Sequence, residues 1–233
     1  MTTSTLLSTP TVSAQSFRRF AVGAAFALVT LAMLAPTGAR AGAQAEEKLA
    51  PSVVSGMSKS ISDQPVPANY AARPELRTWL PDMSQRLAAK IPDQAAREEF
   101  LVTVHYEAMR AGLDPQLVLG VIQYESAFRK YAVSSSGARG FMQVMPFWAK
   151  LIGSPEHNLF HLRTNLRYGC VILRHYLDIE NGDLYRALGR YNGSLGQPEY
   201  PNAVIAAWNR NWTWPSMPTR ADLGAGASGT VTR

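Results

Sequence analysis

Between residues 92 and 210 no stretch sustains the strict alternation of apolar and polar residues that a half-buried strand requires. That pattern restricts the chain to helices packed on helices, an all-α fold. Pro92-Asp93 opens a segment running to about Ala111, with Phe100, Leu101, Val104, Ala108 and Met109 on one broad face, and Gly112 ends it. Asp114 reads as an N-cap with Pro115 at the first helical position. The segment that follows, Gln116 to Ser126, is apolar nearly all round and should lie in the middle of the bundle. After a polar loop from Ser134 to Gly140, a short helix is expected around Met142 to Ile152 and a longer one from Thr164 to Ile179, closed by Asn181-Gly182. Asp183 caps another to about Tyr191, and Pro201 opens a last one through Trp208.

The two ends read differently. Arg18 and Arg19 precede an uncharged apolar run from Phe20 to Leu34, Pro36 breaks it, and Ala39-Arg40-Ala41 offers a small-x-small cleavage pattern. This is the layout of a secretory signal peptide over residues 1–41. The run is short for a membrane span, which needs about 20 residues, although an uncleaved anchor has the same layout. Export to the periplasm, with no stable membrane span after cleavage, is therefore expected, and the Arg pair hints at the twin-arginine route. Residues 42–72 carry Ser, Pro, Ala and Gln without an apolar period and read as a flexible linker. Residues 73–216 form the expected catalytic domain, and the Gly-rich residues 217–233 a loose tail.

Charge excludes some functions. The formal net charge is +6, and removal of residues 1–41 would take away three Arg and no acid, leaving 20 basic residues against 17 acidic. So modest and interleaved a balance gives no case for nucleic acid. Cys170, the single cysteine, rules out an intramolecular disulfide and reads as a small buried residue.

Glu125 is the informative residue. On a helix it shares its face with Val118, Val121 and Ile122, all apolar. A carboxylate there loses hydration and meets the negative end of the helix dipole, and both effects raise its pKa. A carboxylic acid kept protonated near neutral pH is what glycosidic-bond cleavage needs, because the bridging oxygen leaves poorly until it receives a proton. The bland alternative is a Glu that surfaces at the helix end or pairs with Arg129 one turn on. Downstream, Ser134 through Gly140 make a tight loop of small residues. Gln143 can donate and accept hydrogen bonds at once, as hydroxyl and acetamido groups demand, and Met142 and Met145 offer adaptable apolar contact.

Taken in order, Glu125-Ser126, Ser134 to Gly140, Met142-Gln143-Val144-Met145-Pro146, Asn165 with Gly169, and Tyr191-Asn192 resemble the soluble lytic transglycosylase domain, the goose-type-lysozyme-like family. The resemblance covers roughly residues 93–210. It implies a lysozyme-like helical fold with a groove for alternating N-acetylglucosamine and N-acetylmuramic acid. It also implies one Glu acting first as acid and then as base, a 1,6-anhydro product, and no cofactor. Glu125 matches the catalytic position. Ser134, Gln143 and Met145 match cleft-lining positions. Tyr191 matches a tyrosine facing the glutamate, and Asn192 a motif position beside it. Asn165 matches a position with a larger structural share. One departure stands out: the family pattern Tyr-Asn-x-Gly is here Tyr191-Asn192-Gly193-Ser194, followed by an unusual Gln197-Pro198-Glu199-Tyr200.

The residues favour transglycosylation over hydrolysis. Ordinary glycosidases pair the acid with a second carboxylate within about 5–10 Å, and downstream of Glu125 the next acid is Glu156. A lysozyme-type muramidase and a non-catalytic peptidoglycan-binding component of an envelope machine are the alternatives. Peptidoglycan glycan strands are the expected partner. General wall turnover and local wall opening for an envelope-spanning secretion or conjugation apparatus are both compatible with such a chain. His157 and His161, four apart in a Pro- and Asn-bearing loop, give no metal site. Trp208, Trp212 and Trp214 read as a packing plug rather than a sugar platform.

Overall fold

A computed structural model of the chain describes residues 1, 44, 46–62 and 64–214. By internal contacts the chain divides into Met1–Arg40 and Ala41–Arg233. The structure below is that of the second unit; the expected signal peptide and tail lie outside the described residues.

Among the described residues the unit has eight α-helices: α1 Pro51–Ile61, α2 Leu76–Leu87, α3 Gln94–Arg110, α4 Pro115–Ser126, α5 Pro146–Ile152, α6 Leu162–Ile179, α7 Leu184–Asn192 and α8 Glu199–Ala207. A single π-helical turn, Trp208–Trp212, extends α8. No strand forms among the described residues, so the all-α expectation agrees with the structure. Two isolated bridges, Val133 with Arg139 and Arg139 with Val144, brace the loop between α4 and α5.

The caps read from sequence are in place. Asp93 accepts from the Ala96 N–H, Asp114 from Gln116 and Leu117, and Asp183 from Arg186. Each supplies an acceptor for the orphan N–H donors at a helix start and is worth about 1 kcal/mol. Asn181 and Gly182, at φ 52° and 86°, end α6.

Helix α4 lies where its composition puts it. Leu117, Val118, Leu119, Val121 and Ile122 are all buried, each contributing about 1.5–3 kcal/mol by leaving water. Around it pack α3, α8 and the π turn; α6 lies against α3 and α7, and α1 against α5 and α6. Trp212 is buried, and Trp208 and Trp214 pack against the same core. Cys170 is buried too.

Two segments differ from the sequence reading. Residues 51–61, expected within a flexible linker, form α1, and Met57 and Ile61 bury against the core. Arg167, itself buried, holds the end of that helix by donating to the carbonyls of Ile61, Ser62 and Gln64 while pairing with Glu107. Local propensity does not encode such an anchor, because the partner lies on α6. The short helix expected from Met142 begins only at Pro146. Upstream of it the Met142 N–H is taken by the Asn165 side chain rather than by a helical carbonyl, and Gln143 is turned to φ 49°.

Candidate active site

Glu125 is the penultimate residue of α4, and α4 stops because Ala127 and Phe128 take positive φ values of 49° and 65°. Part of the Glu125 residue reaches solvent, but its carboxyl is crowded on every side. Burial raises its pKa to about 8, and a hydrogen bond from Tyr200 pulls in the opposite direction. No second carboxylate is among the causes. The Tyr200 hydroxyl donates to Glu125 Oε1 at 2.6 Å. Arg129, the alternative partner of Glu125, instead donates to the Ser126 carbonyl.

Tyr200 comes from α8, and Gly120 lets α8 approach. A Cβ at position 120 would stand 3.2 Å from the Val204 carbonyl oxygen and from Trp208 N and Cβ. With hydrogen alone at Gly120, α8 settles against α4 closely enough for Tyr200 to reach across the end of α4. Tyr200 is buried, and Tyr124 packs edge-on to its ring at 5.0 Å. Sequence reasoning missed Tyr200 as a site residue. It had flagged Gln197–Tyr200 as unusual, and that departure from pattern was the available signal.

Tyr191 is 1% exposed and donates to the Met142 carbonyl at 2.7 Å. Burial first, and then the nearby Glu125 charge, push its own pKa well up. It is therefore a neutral neighbour of Glu125, not the residue hydrogen-bonded to it. Asn192, next along, ends α7 and is 9% exposed.

The loop is braced from within. Ser134 accepts from the Ala138 N–H at 3.0 Å. Gln143 Nε2 donates to the carbonyls of Ala132 and Gly140 at 3.1 and 2.9 Å. That commits its amide hydrogens to the loop and leaves the amide oxygen. Asn165, fully buried, accepts from Met142 N and donates to the Arg139 and Leu159 carbonyls, all at 2.8 Å. Gly140, at φ 77°, has no room for a side chain, since a Cβ would stand 2.4 Å from Asn165 Nδ2. Asn165 is thus the clasp that fixes the turn carrying Gln143 and Met145. Met145, part-buried, packs against the core just ahead of α5. His157 meets the Tyr168 hydroxyl at 2.7 Å and His161 precedes α6.

One end of α4, one braced loop and the ends of α7 and α8 therefore surround a single protonated carboxyl. Three depressions of about 560, 810 and 430 Å³ lie elsewhere, and Glu125 lines none of them.

Comparison with known proteins locates the same region. The family model "Transglycosylase SLT domain" matches residues 103–202. The transglycosylase of Enterobacteria phage PRD1 is 37% identical over 98 residues, covering 42% of this chain and 36% of that protein. The membrane-bound lytic murein transglycosylase C of Haemophilus ducreyi is 30% identical over 122 residues, covering 48% and 30%. An inactive mutant of the lytic transglycosylase Slt from Pseudomonas aeruginosa overlays with a TM-score of 0.39 at 19% identity, covering 72% of this chain and 35% of that one. The chain thus spans about a third of the length of the relatives it matches. Residues 103–202, from within α3 into α8, hold Glu125, Tyr191 and Tyr200, and they are the part of the chain similar to the Transglycosylase SLT domain family.

Proposed function

We propose that the protein is a peptidoglycan lytic transglycosylase with Glu125 as its single acid and base. The observation that carries the reading is a carboxyl kept neutral by burial, with a pKa of about 8, and held on one oxygen by Tyr200. At neutral pH most molecules hold the proton that the glycosidic oxygen needs.

The chemistry balances without water. Glu125 passes its proton to the oxygen bridging N-acetylmuramic acid and N-acetylglucosamine, and the bond from that oxygen to the muramic anomeric carbon breaks. The muramic O6 hydroxyl then bonds to the same carbon and returns its proton to the Glu125 carboxylate. The products are a 1,6-anhydro end and a free 4-hydroxyl. Between the two transfers Glu125 is an anion, and the Tyr200 hydrogen bond favours that form. Ser134, Gln143, Met145, Tyr191 and Asn192 line the substrate cleft in this reading, with Tyr191 a neutral neighbour of the developing charge.

Peptidoglycan strands are the substrate and the periplasm the place of action. The layout of residues 1–41 supports export, and relatives named membrane-bound murein transglycosylases support the substrate. Among the described residues no helix is long and apolar enough to cross a membrane. Service to general wall turnover or to an envelope-spanning secretion or conjugation apparatus both follow from this activity.

The test is product analysis on purified sacculi, wild type beside Glu125→Gln. Wild type should release muropeptides with anhydro ends, one water lighter than reducing ends, and folded Glu125→Gln should release none. Reducing ends from wild type would mean a lysozyme-type hydrolase. Binding to sacculi without release would mean a docking protein.

A further inference from the structure

Residue Gln44 lies far from the family segment in sequence, yet its side chain meets two residues of the candidate cleft. It is 5% exposed. The Met145 N–H donates to Gln44 Oε1 at 3.3 Å, and Gln44 Nε2 donates to the Gln143 carbonyl at 3.5 Å.

The backbone explains why an amide fits there. Val144, between Gln143 and Met145, exchanges both of its backbone hydrogen bonds with Arg139. Across a trans peptide unit the C=O and the N–H point opposite ways. Because the Val144 N–H and carbonyl both face Arg139, the Gln143 carbonyl and the Met145 N–H face away from it, one acceptor beside one donor. A primary amide presented edge-on satisfies both, because its oxygen and one of its N–H groups lie on the same side. The acetamido group of an amino sugar is a trans secondary amide whose C=O and N–H point opposite ways, so its oxygen can take the Met145 N–H that Gln44 Oε1 now holds, while the Gln143 carbonyl is left to a sugar hydroxyl.

We propose that Gln44 is an internal stand-in for the carbonyl of the substrate acetamido group and competes with the glycan for the Met145 N–H. This rests on the reading of the site as a glycan cleft. The occupant is weakly held. Distances of 3.3 and 3.5 Å lie beyond the common range for N–H···O bonds. Its tether is light as well: Glu47 meets Arg190 at 3.6 Å with both side chains partly in solvent, and Leu49 packs against the core ahead of α1. Such a strap can be displaced by a ligand that brings an amide carbonyl together with a sugar ring. It taxes binding by the fraction of molecules whose Met145 N–H is already taken.

The experiment measures binding of an N-acetylglucosamine tetramer by calorimetry to the full chain, in the Glu125→Gln background so that nothing is turned over. Adding Gln44→Ala should tighten binding by roughly threefold to tenfold, the factor expected for freeing one or two weak hydrogen-bonding groups. Glu47→Ala, which leaves every cleft group intact and only loosens the strap, should move affinity in the same direction by less. The fully deacetylated tetramer, which lacks the amide, should not distinguish Gln44→Ala from its parent. With Glu125 intact, Gln44→Ala should lower KM on sacculi and leave kcat unchanged. Equal or weaker binding of the acetylated tetramer by the Gln44→Ala protein overturns the competition and leaves the transglycosylase reading standing. If neither protein binds that tetramer, recognition of the amino sugar fails and both readings fall.

Discussion

Two glutamates with desolvated carboxyl groups have opposite company. Glu107, on α3, is 2% exposed and paired with Arg167 at 2.9 Å and Arg110 at 3.0 Å. Glu125, on α4, has one neutral donor, Tyr200, and among the described residues no cation beside it. A buried anion with two guanidiniums has its charge balanced and stays where it is. A buried carboxyl without a cation keeps its proton instead. The first arrangement fastens the fold, since Arg167 also holds the carbonyls that end α1. The second makes a proton available to whatever occupies the space beside it. Burial alone therefore does not mark a functional acid; burial without a compensating charge does.

Glu125→Gln breaks the comparison at its most sensitive point. General acid–base catalysis contributes about 10²–10⁴-fold, so turnover of sacculi should fall by at least that factor. Stability should move the other way. The Glu125 pKa is raised from 4.5 to about 8, so the folded state holds a proton that the unfolded state releases as pH rises past 4.5. Stability then falls as pH climbs from about 4.5 to 8 and levels off above. The amide has no proton to lose. Thermal melts should find Glu125→Gln close to wild type near pH 4 and more stable by a few kcal/mol near pH 9. Equal melting curves at the two pH values would show that Glu125 titrates normally.

Arg167→Met should do the converse. It strands Glu107 with Arg110 alone and frees the end of α1, at a cost of about 3–5 kcal/mol. Activity per folded molecule should be nearly unchanged, because nothing around Glu125 is touched. Denaturant unfolding and sacculus digestion, read on the same samples, separate the two effects. A variant that folds normally and loses turnover would put the Glu107 cluster in the site.

The sequence made the middle of this contrast legible and the edges obscure. Glu125 was visible because an acid in an apolar 3.6-residue pattern violates the pattern itself, and the caps Asp93, Asp114 and Asp183 because each is a local event. The signals that failed were non-local. The linker reading of residues 42–72 had no access to Arg167, more than a hundred residues away on α6. Gln143 and Asn165 looked like sugar-binding polar groups and a helix start. In the structure their hydrogen bonds go to carbonyls of one loop, which is tertiary bracing. Tyr200 escaped because its partner depends on how closely two helices approach.

That approach offers finer tests. Tyr200→Phe removes the bond that favours the Glu125 anion, so the Glu125 pKa should rise further. The alkaline limb of the pH–rate profile should shift upward. The maximal rate should still drop, by about tenfold, because the anion formed after the first proton transfer loses a donor worth about 1.5 kcal/mol. A limb that stays put or moves down would show that Tyr200 does not set the acid's affinity for its proton.

Gly120→Ala should have the smallest effect and reads the same geometry from a distance. Two contributions oppose each other in its stability. Alanine in a helix interior is better than glycine by about 0.5–1 kcal/mol. Against that, the new methyl stands 3.2 Å from backbone atoms of α8 and its π turn, which must yield by a few tenths of an ångström. The net change in melting temperature should be slight. The pH–rate profile is the sensitive readout. If α8 moves off α4, the 2.6 Å bond from Tyr200 to Glu125 lengthens, and the alkaline limb should shift in the same direction as in Tyr200→Phe by a smaller amount. In the double variant Gly120→Ala/Tyr200→Phe the alanine should add nothing to that shift, because the bond it would stretch is already gone. An additive shift would mean that Gly120 acts on Glu125 by some route other than the tyrosine.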